Sequence, residues 1–89
     1  MKKSIEAKIT GKVQGVWFRK YTKEKADELG IKGFVRNEPD GSVYLEAEGD
    51  PYAMRIFKEW LFVGSPKSIV EGVQIKEVPV KNFKDFKIF

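Results

Sequence analysis

Two short segments of this 89-residue chain carry residues able to handle an anion: Gly11 to Arg19 reads GKVQGVWFR, and Asn37 follows inside GFVRNEPDGSV, Gly33 to Val43. Gly15 tolerates the positive φ that a tight, amide-exposing loop requires. A loop that feeds a helix start turns free N–H groups and the dipole toward a phosphate. Arg19 adds a permanent charge and a fork of donors that matches phosphate oxygens. Gln14, Gly15, Val16, Trp17, Phe18 and Arg19 are therefore the candidate phosphate-binding loop, with Arg19 and Asn37 the candidate catalytic pair. An uncharged amide at residue 37 can hold a water and aim its lone pair at phosphorus, which is catalysis by positioning. Both residues also have plainer readings: a solvated arginine on a strand-to-helix turn, and an asparagine that favours the turn at Pro39, Asp40 and Gly41.

The elements that must position these residues follow from periodicity. Ile5, Ala7 and Ile9 alternate with Glu6, Lys8 and Thr10 as in a half-buried strand. From Phe18 the spacing turns helical, with Phe18, Thr22, Ala26 and Leu29 on one side, and with Lys20, Lys23, Glu24, Asp27 and Glu28 turned away from it. Gly30 is placed to cap that helix. Ile31 to Asn37 reads as a strand, and Pro39, Asp40 and Gly41 turn it into a second one carrying Val43, Leu45 and Ala47. Asp50 and Pro51 start a second helix with Met54, Phe57 and Leu61 inward, ended by Gly64 and Pro66. A strand over Ile69 to Val78, bulged at Gly72, and a short last one with Phe86 and Ile88 complete the order.

This order predicts an α+β, ferredoxin-like split βαβ sandwich: βαββαβ plus a short C-terminal strand, with two helices on one face of an antiparallel sheet. A crossover makes the first two strands parallel, and their pairing would bring Arg19 and Asn37 to one sheet edge. Residues 1–89 suffice for a single domain.

Hydrophobic residues at 42% and charged residues at 34% place the chain in the ordinary globular class. The absence of cysteine excludes thiol chemistry and fits a reducing compartment, and the absence of histidine removes the commonest general base and zinc ligand. No leader or membrane-length apolar run is evident, so a cytoplasmic protein is expected, with no membrane partner. The net charge of +4 suits an anionic ligand, although Lys and Glu are interspersed rather than blocked. Trp17, Phe34 and Tyr44 could form an aromatic platform for RNA bases, with Lys32 to Arg36 as a partial echo of an RNA-recognition strand. Packing is the commoner use of strand aromatics, and no nucleic-acid partner is expected. Glu46 and Glu48 share a strand face and read as solvated surface rather than as a metal-binding or acid–base pair.

The run from Ile9 to Arg19, with Gly11, Val13, Gln14, Gly15, Val16, Phe18 and Arg19, resembles the first signature of the acylphosphatase family. Gly33, Phe34, Val35, Asn37, Gly41, Val43 and Gly49 resemble its second, and Gly64–Ser65–Pro66 and Phe86–Lys87–Ile88 are similar to family sequence as well. Glu38 stands where vertebrate members usually carry threonine. The resemblance implies hydrolysis of an acyl phosphate to a carboxylate and inorganic phosphate by direct water attack, and a monomeric enzyme without metal or other cofactor is expected. Composition agrees: a chain without His or Cys has poor means of protonating a leaving group, and a carboxylate, with a conjugate acid of pKa about 4, leaves without a proton. A non-catalytic acyl or carbamoyl phosphate-binding module, like the domains at the front of larger maturation enzymes, is the alternative, and a ferredoxin-like RNA-binding domain a weaker one.

Overall fold

The computed structural model describes all 89 residues. The chain runs β1 (Lys3–Lys12), α1 (Phe18–Leu29), β2 (Lys32–Asn37), β3 (Val43–Gly49), α2 (Pro51–Val63), β4 (Ile69–Glu77) and β5 (Phe86–Ile88). Both helices pack on one face of a five-stranded sheet in the order β4-β1-β3-β2-β5. The α+β ferredoxin-like expectation holds, with two corrections. β1 and β2 do not pair: β3 lies between them, antiparallel to both, because each crossover helix skips a strand position. The sheet is mixed rather than antiparallel, since β5 joins β2 in parallel register, Val35 opposite Ile88.

The parallel sense of β1 and β2 survives the interposed strand, and it governs the site. Val43, the first residue of β3, faces Ile9 on one side and Asn37 on the other, so the carboxyl ends of β1 and β2 lie at one sheet edge. The parallel β5 carries Phe89 to that same edge, where its N–H donates to the Val35 carbonyl. The β1–β4 register slips between Thr10 and Gly11, leaving Glu71 unpaired between Gly72 and Val70. Gly11 is obligatory there: at φ 119° it leaves room for the Ile69 carbonyl, into which a Cβ would run.

The core is the helix-facing side of the sheet, with Ile5, Ala7 and Ile9 of β1 and Val43, Leu45 and Ala47 of β3 meeting Phe18 and Ala26 of α1 and Met54, Phe57 and Leu61 of α2. Capping is as the residue types require: the Asp50 carboxylate accepts from the Ala53 N–H at 3.0 Å, with Pro51 behind it, and Gly30 closes α1 in the left-handed region. Phe18 is fully buried and packs against Trp60 with the rings tilted by 42° and their centres 5.5 Å apart. Burying a phenyl ring contributes about 2 to 3 kcal/mol, enough to fix the start of α1 and with it the outward direction of the next residue, Arg19.

Glu48 departs from the expectation of a solvated face. It is 1% exposed, because the segment after β4 crosses the outer side of the sheet there. Its carboxylate accepts from the N–H groups of Lys81 and Phe83 at 2.9 and 2.7 Å and from the Ser4 hydroxyl at 3.4 Å. A buried carboxylate needs such donors, and here they pin the strap that leads into β5.

Candidate active site

Between β1 and α1 the chain turns through two left-handed residues, Gly15 at φ 74° and Trp17 at φ 64°. A turn of this kind gathers successive N–H groups on one side, as anion nests do. The first hydrogen bond of α1 runs from the Tyr21 N–H to the Trp17 carbonyl, so the amides of Phe18, Arg19 and Lys20 have no partner inside the helix. Trp17 supplies no side-chain cap, and the first turn holds no acidic residue. It holds Arg19 and Lys20 instead. Cations at a helix start oppose the dipole by some tenths of a kcal/mol each, an arrangement an anionic ligand reverses.

Gly15, Trp17, Phe18, Arg19 and Lys20 line a cavity of about 350 Å³ together with Val13, Asn37 and Ile88. Arg19 and Asn37, eighteen residues apart, thus share one cavity at the carboxyl edge of β1 and β2. One Arg19 nitrogen donates to the main-chain oxygen of Phe89 at 2.7 Å. That bond anchors one corner of the guanidinium and leaves its other donors for a ligand. The Asn37 side-chain oxygen is buried and has no hydrogen-bond partner within the chain. An acceptor so placed costs about 1 to 3 kcal/mol unless something donates to it.

Two members of the candidate loop sit elsewhere. The Gln14 amide donates to the Glu38 and Ser42 carbonyls at 2.8 and 2.9 Å, bridging the loop to the β2–β3 turn across the start of β3. Val16 is buried in the core, and its carbonyl accepts from the buried Ser65 hydroxyl at 2.8 Å. Only main-chain atoms of the loop can therefore meet an anion at that point. Sequence reasoning placed Lys20 on the face turned away and did not reach Ile88 or the Phe89 oxygen. The position of Lys20 directly after Arg19, in the first helical turn, was the available signal. Glu38 turns outward, its carboxylate accepting from Arg36 Nε at 2.8 Å.

The outer sheet face has no free aromatic platform. The Arg36 guanidinium lies over Tyr44 at 4.7 Å and over Phe34 at 5.7 Å, and Phe83 and Phe89 pack edge-on against Phe34. The Tyr44 hydroxyl donates toward Glu46 and Glu6, and burial together with these carboxylates pushes its pKa above the ordinary phenol value. Trp17 belongs to the cavity instead. No group of three or more His, Cys, Asp or Glu residues is placed to hold a metal ion, and no helix is long and apolar enough to cross a membrane.

The family model for acylphosphatase matches residues 5–88. This chain belongs to the acylphosphatase family. It is 44% identical over 80 residues to an acylphosphatase of Marinobacter nauticus, a match that spans 89% of this chain and 87% of the relative. The structure of an acylphosphatase from Coxiella burnetii superposes with a TM-score of 0.95 at 38% identity, covering 99% of this chain and 93% of that one. Full-length HypF, solved in a phosphate- and nucleotide-bound form, contains a similar unit: TM-score 0.88 at 32% identity, over all of this chain and 12% of HypF. The acylphosphatase-family chain described here is accordingly a hydrolase.

Proposed function

We propose that this acylphosphatase-family chain hydrolyses the carboxyl–phosphate bond of small acyl phosphates, releasing a carboxylate and inorganic phosphate, with the 89 residues acting as one catalytic domain. The observation that carries the reading is the cationic start of α1: two basic residues, and three residues whose amides have no partner in the helix, line the cavity that Asn37 also lines.

Arg19 and the amides from Gly15 to Arg19 hold the phosphoryl oxygens, and they offset charge as it redistributes in the transition state. Asn37 accepts a hydrogen bond from the attacking water and so orients a lone pair toward phosphorus. The P–O bond to the acyl oxygen breaks as the new one forms. Its electron pair leaves on the carboxylate, which needs no proton, and the proton lost by water passes to the phosphate. No side chain in the cavity has to act as a base. We further propose that the enzyme is a cytoplasmic monomer, without metal or other cofactor and without a nucleic-acid partner, the last because the outer aromatic rings are already covered.

The test is phosphate release from acetyl phosphate by the native chain, Arg19→Ala and Asn37→Ala, without added metal and with EDTA present, circular dichroism confirming each fold. Arg19→Ala is expected to lose nearly all activity, and Asn37→Ala to lose kcat far more than KM. Equal rates in all three chains sink the site, and an Asn37→Ala effect on KM alone sinks the water-positioning role. The likeness to a segment of HypF favours one other reading, a domain that binds acyl or carbamoyl phosphate without cleaving it. Phosphate binding by the native chain without turnover of any acyl phosphate is its signature.

A further inference from the structure

A phosphoryl group fills only part of a cavity of about 350 Å³, and the remaining wall is apolar. Val13 and Phe18 are its buried floor, whereas Trp17, 70% exposed, and Ile88, 41% exposed, stand up from it into solvent. Trp17 is the anomaly. A helix N-cap is ordinarily Ser, Thr, Asp or Asn, and a left-handed backbone is ordinarily Gly or Asn, yet an indole occupies a position that is both, at φ 64° and ψ 21° with no capping bond. Strain kept at the mouth of a site points to a use for the side chain. The ring is also steadied, since the Lys20 ammonium lies 5.8 Å from its centre.

We propose that Trp17 is the acyl platform of this enzyme: its indole face, with Ile88 as the facing wall, binds the acyl group while the adjoining loop amides hold the phosphate. The inference rests on the acyl phosphate reading above and adds the substrate class to it. The favoured substrates carry a planar or apolar acyl group beyond the carboxyl carbon, and acetyl phosphate, which has a methyl group alone, leaves the platform bare. The attachment of the indole to a loop residue ties the two halves of the site together: the same residue that lends its backbone to the anion nest sets the distance to the acyl group.

The experiment measures kcat/KM for benzoyl phosphate and for acetyl phosphate with the full chain, Trp17→Asn, Trp17→Phe and Ile88→Ala, each checked for folding by circular dichroism. Asparagine accepts the left-handed backbone, so the loop keeps its turn while the ring is lost. The native chain is expected to prefer benzoyl phosphate. Trp17→Asn is expected to lower the benzoyl-to-acetyl ratio about tenfold, chiefly through the KM of benzoyl phosphate, which equals about 1.4 kcal/mol and matches one aromatic contact. Trp17→Phe restores most of the ratio, and Ile88→Ala lowers it about threefold. An unchanged ratio in Trp17→Asn, with acetyl phosphate still cleaved, overturns the acyl platform and leaves the phosphate site standing. Failure of the native chain to cleave either substrate overturns both. If Trp17→Asn does not fold, Trp17→Gly is held to the same ratio.

Discussion

Gln14 offers a sharp test because its amide can be assigned to either of two jobs. The geometry gives it to the scaffold: both amide hydrogens are committed, to Glu38 O at 2.8 Å and Ser42 O at 2.9 Å. Gln14→Met removes both bonds at nearly constant volume. Neither carbonyl is orphaned by the change, since Glu38 O still accepts from the Gly41 N–H and Ser42 O from the Glu38 N–H. The penalty for unsatisfied groups therefore drops out, and only the net value of two neutral bonds is lost, about 1 to 2 kcal/mol in all. For a domain of this size that is a fall in Tm of roughly 5 to 15 °C. The bridge also joins the candidate phosphate loop to the turn that follows Asn37, so the loss is expected to lower kcat several-fold and to change KM little. Thermal unfolding and acetyl phosphate kinetics read both numbers. A variant with native Tm and kcat but raised KM, and with weaker inhibition by inorganic phosphate, would refute this account and make Gln14 a direct phosphate ligand.

Glu48→Ala strands the N–H groups of Lys81 and Phe83 and is expected to cost about 3 kcal/mol, read from the urea midpoint, with Glu48→Gln recovering part. The two loop-proximal glycines should separate cleanly: Gly15→Ala meets open space and costs about 1 to 2 kcal/mol of left-handed strain, whereas Gly11→Ala drives a methyl group into the Ile69 carbonyl and costs upward of 3. The Lys8 ammonium and then the Ser42 hydroxyl and N–H hold the Asp40 carboxyl well below the usual carboxylate range. A depressed carboxylate contributes stability above its unfolded pKa of about 4, stability that is lost as pH falls, so the Tm gap between native and Asp40→Asn chains should be full at pH 6 and shrink steadily toward pH 2. A gap that does not change with pH would separate Asp40 from its ionic partners.

Periodicity and turn chemistry were enough to find every element, because each strand alternates against one apolar core and each helix has its own stop signal at Gly30 or Gly64. Strand neighbours were less accessible. A crossover states that β1 and β2 run the same way but is silent about which strand fills the space between them, and the three-residue β5 is too short to declare its direction. Within the candidate site, the Gly15, Arg19 and Asn37 that the fold gathers around one cavity could be singled out by residue type alone, since a positive φ, a bidentate cation and a neutral amide each have few substitutes. The side-chain partners of Gln14 and Glu48 were hidden for the opposite reason. A polar side chain on a loop or strand declares that it can hydrogen-bond, and only the fold decides whether its partner is a ligand or the backbone of a segment far along the chain.

The same distinction explains how so small a core supports a strained loop. Left-handed Trp17, the uncapped helix start and two cations set against the dipole each raise the energy of the unliganded site. Three tethers from separate parts of the chain hold it nevertheless: Gln14 to the β2–β3 turn, Ser65 to the Val16 carbonyl from below, and Arg19 to the oxygen of Phe89, which Glu48 steadies from a distance through the strap into β5. None of these bonds lies between neighbours in sequence, so the loop is rigid only when the whole sheet is assembled. On the proposed reading, a donor array fixed in this way does not have to reorganise when phosphate arrives, and the binding energy of the anion relieves the opposed dipole rather than ordering the loop. It follows that weakening any one tether should reduce turnover before it abolishes phosphate binding, because the charges stay in place while their alignment with the Asn37 acceptor is lost.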